Sequence, residues 1–179
     1  MKTALLFDGS NFYHRLKRCC IQNSSFFDYA GFSRFLLKSN DRLFYVGYYV
    51  GLVNRERGDS KRDLVYFGQQ RFFSNLKSGL SDVHIVLGHI QNVRGTYQEK
   101  GVDVRLALDL YRLACEQGVE KIILVSSDAD LLLAVELAQK AGCIVEYVGI
   151  HHSLSQALLK NSSHSRVLFC SDLKFFEKL

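Results

Sequence analysis

Proline is absent from all 179 residues, where average usage near 5% would place about nine. No Pro-rich linker can therefore divide the chain. Nor does any apolar run approach the ~20 residues of a membrane-spanning helix. The first apolar stretch, Ala4–Phe7, is interrupted by Asp8, too soon for the core of a secretory leader. The expectation is an intracellular, cytoplasmic protein with no membrane partner. Five cysteines occur, at 19, 20, 115, 143 and 170, and none forms a C-x-x-C pair. An odd count with no such spacing signals neither a disulfide framework nor a structural zinc site. Reduced, mostly buried thiols are the expectation in a cytoplasm. Also missing are the phosphate-cradling G-x-x-x-x-G-K-[ST], the dinucleotide fingerprint G-x-G-x-x-G and the nucleophile elbow G-x-S-x-G. Nucleotide hydrolysis at a P-loop, dinucleotide redox chemistry and serine acyl transfer therefore have no support.

What is present suits one folded domain over residues 1–179. Hydrophobic residues make up 47% of the chain, too many for a disordered segment. A chain of this length buries about two thirds of its unfolded surface, so it needs no covalent staple. The net charge of +5 is unevenly spread: residues 1–90 hold 13 Lys and Arg against 7 Asp and Glu, and residues 91–179 hold 10 against 11. A basic first half hints at a polyanionic partner.

Short apolar runs alternate with segments of helical periodicity. Lys2–Phe7, Arg42–Val50, Val83–Leu87, Lys121–Val125 and Ile144–Val148 read as strands, with a sixth at Arg166–Cys170. Helices are expected near Asn11–Cys20, Gly31–Lys38, Leu64–Lys77, Val102–Gln117, Ala129–Lys140 and Ser153–Lys160. Gly118 stands where a helix C-terminus wants a left-handed residue. Continuous apolar strands belong to a sheet covered on both faces. The fold class is therefore α/β: a three-layer, Rossmann-like domain around a mostly parallel sheet of five or six strands.

Ligands of such sheets bind beyond the carboxyl ends of the strands. Asp8 ends the first strand, and Asn11 follows it. Asp128 and Asp130 follow the strand Lys121–Val125, and Asp103 opens the helix leading into that strand. All four acids reach one edge if the strands Lys2–Phe7 and Lys121–Val125 are neighbours. Carboxylates gathered this closely raise one another's pKa unless a cation joins them. A hard ion such as Mg²⁺ prefers oxygen ligands and keeps waters, and it can activate water against a phosphodiester. Asp103, Asp128 and Asp130 could each serve instead as helix-terminal acids. Asp109 suits an ion pair with Arg105 or Arg112 on its own helix.

The segments Phe7–Asn11, Lys100–Val104 with Leu106–Leu110, and Ser126–Leu131 together resemble the NYN domain, and more narrowly its LabA-like branch. Gly142–Gly149 and Gln69–Leu76 fit the same pattern, so the resemblance covers about residues 2–150. It implies a PIN-like ribonuclease fold with an acidic, Mg²⁺- or Mn²⁺-dependent site. In that site Asp8, Asp103, Asp128 and Asp130 would hold metal and Asn11 would assist. The final motif departs from the family's S-G-D-S-D-F-x-P-L: Ser127 replaces Gly, Leu131 replaces Phe and Leu133 replaces Pro. The acids are retained.

Single-stranded RNA requires cations for phosphates and aromatic faces for bases. Arg15 and Arg18 on the first helix, Arg55, Arg57, Lys61 and Arg62 after the second strand, and Arg94, Tyr97 and Lys100 before Asp103 form a candidate RNA-binding rim. Tyr13 is a second stacking candidate, whereas Phe44, Tyr45 and Tyr48 read as strand core. The adjacent His151 and His152 point to opposite sides in an extended segment and make no paired metal site. The alternative function on the same fold is a non-catalytic RNA-binding or protein-interaction module, and related domains often pair as homodimers.

Overall fold

The computed structural model describes residues 1–21, 27–55, 59–80, 82–93 and 96–178, with backbone alone at 92, 93, 96 and 97. Of the expected RNA-binding residues, Arg57, Arg94 and the Tyr97 side chain lie outside what is described.

Among the described residues, seven strands form one sheet: β1 (Lys2–Asp8), β2 (Arg42–Leu52), β3 (Val83–Val93), β4 (Thr96–Lys100), β5 (Lys121–Val125), β6 (Ile144–Ile150) and β7 (His164–Leu168). Their order is β4-β3-β2-β1-β5-β6-β7, and every pair is parallel except β3–β4. The strand beyond the expected five or six is β4. The segment His89–Gly101 is too polar to read as strand, yet its backbone folds back on β3 as an antiparallel edge hairpin. Edge strands tolerate polar side chains because one side of the ladder faces solvent. The last strand also runs two residues earlier than the sequence pattern suggests.

The helices are α1 (Gly9–Arg18), α2 (Tyr29–Leu36), α3 (Ser60–Gly79), α4 (Val102–Cys115), α5 (Leu132–Lys140), α6 (Gln156–Asn161) and α7 (Cys170–Lys174). Period-2 alternation along the strands feeds two cores. Leu5 and Phe7 of β1 pack with Phe12, Phe32, Phe72 and Leu173 of α1, α2, α3 and α7 on one face. Ala4 and Leu6 pack with Leu106, Leu110, Val135 and Leu158 of α4, α5 and α6 on the other. This is the expected three-layer arrangement. Of the three strand aromatics, Tyr48 is core, Tyr45 is half-buried and Phe44 is exposed beneath the Lys2 ammonium.

Connections run one way from β1 through β2 and β3, then cross back to β5, β6 and β7. The order reverses between β1 and β5, and a crevice opens at such a switch point. At the opposite, amino-terminal edge a buried Lys121 pairs at 2.8 Å with both Asp41 and Glu146, and Arg166 pairs with Glu146 at 2.6 Å.

The cysteines correct the sequence expectation. Cys19, at the end of α1, is disulfide-bonded to Cys170, the first residue of α7, across a separation of 151 residues. Cys20 and Cys115 are exposed, and Cys143 is buried. No local spacing could signal this pairing, because it exists only once α7 returns beside α1.

Candidate metal centre

Asp8 is the last residue of β1 and is 3% exposed. The chain turns directly into α1, and Asp8 caps it: Oδ1 accepts from the Asn11 backbone N–H at 3.2 Å. Its Oδ2 accepts from the Ser126 hydroxyl at 2.7 Å. The turn needs Gly9, since a Cβ there would strike the Tyr48 ring and lie 2.6 Å from the Tyr49 carbonyl oxygen. Ser126 continues past the end of β5, and parallel pairing of β1 with β5 sets the two loops side by side. That adjacency is the one the sequence argument required.

Asp128 follows two residues later. Its backbone N–H donates to Ser126 Oγ at 3.0 Å, and its Oδ1 accepts from the Asp130 N–H at 2.9 Å. Capping and clustering are thus not exclusive: Asp8 and Asp128 do both. Asp103 stands on the first turn of α4, after Gly101, which adopts φ +79°. Carboxylate oxygens of Asp8, Asp103 and Asp128 lie within 4.8 Å of one another. Asp130 is exposed and stands outside this group of three, near enough that its charge reaches Asp103.

Electrostatics follow from the crowding. Burial pushes the Asp8 carboxyl up to about 6, against the Ser126 and Asn11 hydrogen bonds, and the charges of Asp103 and Asp128 add to the rise. Asp103 is also raised, by burial and then by Asp128, Glu99 and Asp130. Such a site holds more negative charge than its surroundings offset, and a hard divalent cation with oxygen ligands relieves it. The donor set fits that kind of ion: three carboxylates from three elements, with hydroxyls behind them.

Asn11 is held by its own network. Its Oδ1 accepts from the Ser127 hydroxyl at 2.7 Å and from Arg15 Nε at 3.1 Å, and Arg15 Nε also donates to Ser127 Oγ at 3.1 Å. The serine that replaces the motif's glycine thus ties the β5 loop to α1. Arg15 is drawn to the acidic edge, while Arg18 is exposed on the last turn of α1. Arg55 is engaged by Asp63 through Nε at 2.9 Å and Nη2 at 3.1 Å, and Arg62 Nε donates to the Asn54 carbonyl at 2.6 Å. Lys61 and Lys100 are exposed. Asp109 is occupied away from the acids, paired with Arg112 at 2.8 Å and accepting from Tyr49 OH at 2.9 Å. The two histidines diverge: His151 stacks on Phe169 at 4.8 Å, and His152 Nδ1 sits 3.8 Å from Cys170 Sγ.

Sequence reasoning missed Glu99. From β4 its Oε2 accepts from Ser10 Oγ and from the Gly51 N–H, both at 2.5 Å. Only the unforeseen hairpin brings it there. Ser126 and Ser127 were visible within the last motif, yet a hydroxyl's partner has no linear signature.

Comparison with known proteins agrees with this architecture. The NYN domain model matches residues 2–169. The chain belongs to the NYN domain family. The match runs beyond residue 150, so it takes in α6 and β7 as well. An uncharacterized protein of Sinorhizobium fredii, y4oD, is 36% identical to this NYN domain over 72 residues. That alignment spans 40% of the present chain and 32% of y4oD. Among solved structures, a protein of unknown function from Vibrio parahaemolyticus, VPA0982, superposes with a TM-score of 0.70 at 24% identity. It covers 93% of this chain and 92% of its own, which establishes the shared fold.

Proposed function

We propose that this NYN domain is a metal-dependent ribonuclease that hydrolyses phosphodiester bonds of single-stranded RNA. The observation that carries the reading is the convergence of Asp8, Asp103 and Asp128 within 4.8 Å. They come from three separate segments, at the switch point of the sheet. Asp8, Asp103 and Asp128 would hold Mg²⁺ or Mn²⁺, with Asp130 at its outer side. When bound, such an ion supplies an activated water and stabilises the leaving oxygen. Ser126 and the Asn11 N–H fix both oxygens of Asp8, so its carboxylate is oriented before ligand arrives. Arg15, steadied by Asn11 and Ser127, offers a guanidinium to a phosphate at the same edge, and the exposed Arg18, Lys61 and Lys100 extend the cationic rim.

The test is cleavage of end-labelled single-stranded RNA in Mn²⁺, Mg²⁺ or EDTA, with wild type and Asp128→Asn. Asn also caps helices well, so the variant keeps its fold. Cleavage should require metal and fall at least ~100-fold in the variant, since even supporting groups cost about 10–100-fold. Binding without turnover in wild type would instead assign a non-catalytic RNA-binding module.

A further inference from the structure

Beside the acidic edge lies a cavity of about 420 Å³ between α1, α3 and the carboxyl ends of β1 and β2. That volume is in the ~300–1,000 Å³ range of small-ligand sites. Its wall begins at Gly9 and Ser10, the residues directly after Asp8, and includes Glu99, whose charge reaches Asp103. The lining is largely apolar and aromatic, with Tyr13, Tyr48 and Phe72.

Gly68 is the informative residue. It lies mid-way along α3 and lines the cavity. Glycine inside a helix costs about 1 kcal/mol relative to alanine, so a helix interior has reason to avoid it. Steric need does not explain it: a Cβ placed on Gly68 meets nothing within 4 Å. The other cavity glycines differ, since a Cβ on Gly51 would stand 2.5 Å from Glu99 Oε2. Gly68 is exposed at the rim of the cavity, so the chain forgoes there a side chain that would meet open space.

We propose that this cavity receives one unstacked base of the RNA whose neighbouring phosphate lies on the acids. The inference rests on the ribonuclease reading above and adds a base subsite to it. Three features suit a base. Tyr13 and Phe72 provide aromatic surface, and the Lys17 ammonium stands 4.6 Å from the Tyr13 ring centroid, a cation beside that ring for a backbone phosphate. Glu99 spends two of a carboxylate's roughly four acceptor positions on Ser10 and Gly51, which leaves capacity for the N–H donors of a base edge. The cavity wall also begins one residue after Asp8, near enough for a base there and a phosphate at the acids to belong to one strand of RNA.

The experiment walks 2-aminopurine, a fluorescent base with an exocyclic amino donor, through each position of a short single-stranded RNA. The protein carries Asp128→Asn so that the RNA survives. One position should be quenched on binding. Gly68→Phe, which sets a bulky ring at the rim of the cavity, should abolish that quench and weaken binding about tenfold. Gly68→Ala should leave both intact and melt no lower than the parent, which shows that α3 tolerates a side chain there. Unchanged quenching in Gly68→Phe overturns the proposal. Equal occupancy by free 2-aminopurine ribonucleotide overturns it too, in favour of a mononucleotide site. Loss of the quench in Gly68→Phe, together with a wild type that never cleaves, supports the base subsite and removes the ribonuclease reading. Cleavage by wild type together with an unaffected Gly68→Phe does the reverse.

Discussion

Asp8 joins three roles in one side chain: it ends a strand, caps a helix and anchors the acidic group. Each role needs a short acceptor at the carboxyl edge of a buried strand, so they reinforce one another. Cys143 is the contrasting case, a thiol silenced by its surroundings. Burial, then the nearby Cys115 charge, pushes it up to about 12. The thiolate is the reactive form, so iodoacetamide at pH 8 should label Cys20 and Cys115 and leave Cys143 untouched. Mass spectrometry should count two labels on the native protein, three after unfolding and five after unfolding with reduction. Five labels after unfolding without reduction would mean that the Cys19–Cys170 bond is absent.

At the scale of elements, the start of α4 decides where Asp103 stands. Gly101 occupies the N-cap at φ +79°, with open space around its Cβ position. Any L side chain there pays only backbone strain, ~1–2 kcal/mol. Gly101→Ala should therefore lower stability by about that amount in a urea titration. It should also reduce cleavage, because relaxing the turn re-aims the first turn of α4. The edge hairpin β3–β4 acts similarly on Glu99, which reaches Ser10 and Gly51 only through antiparallel pairing with β3.

For the whole molecule, the amino-terminal edge opposite the site holds a second group of buried charges. Burial alone would raise Asp41 and Glu146. Hydrogen bonds and charge from Lys121, joined by the Lys38 N–H at Asp41 and by Arg166 at Glu146, hold both below their ordinary values. A carboxyl held low in the folded state stabilises it while pH stays above the unfolded value, and that stability is lost as pH falls through the folded one. Unfolding midpoints should thus decline as pH drops below about 4.5, the ordinary glutamate value. Lys121→Met leaves the two acids buried without their shared cation. It should cost ~3–5 kcal/mol at pH 7 and flatten that acid decline, since the acids then gain from protonation.

The architecture was legible because burial periodicity is local. Val83–Leu87, Lys121–Val125 and Ile144–Val148 are apolar runs that only a doubly covered sheet accommodates, and they fall inside β3, β5 and β6. The positions of Asp8, Asp103 and Asp128 at one edge followed from the same pattern, since a parallel sheet puts all its strand ends on one side. Hairpin β4 was not legible, because an edge strand of sequence TYQEK carries no apolar signal. The partner of Ser127, the pairing of Cys19 with Cys170 and the arrival of Glu99 were equally hidden. The sequence alone thus determined the fold class and the acids at its switch point, through periodicity and chain order. The tertiary structure alone decided which polar groups meet, because hydrogen bonds, a disulfide spanning 151 residues and a cavity form between segments whose separation along the chain carries no record of their distance in space.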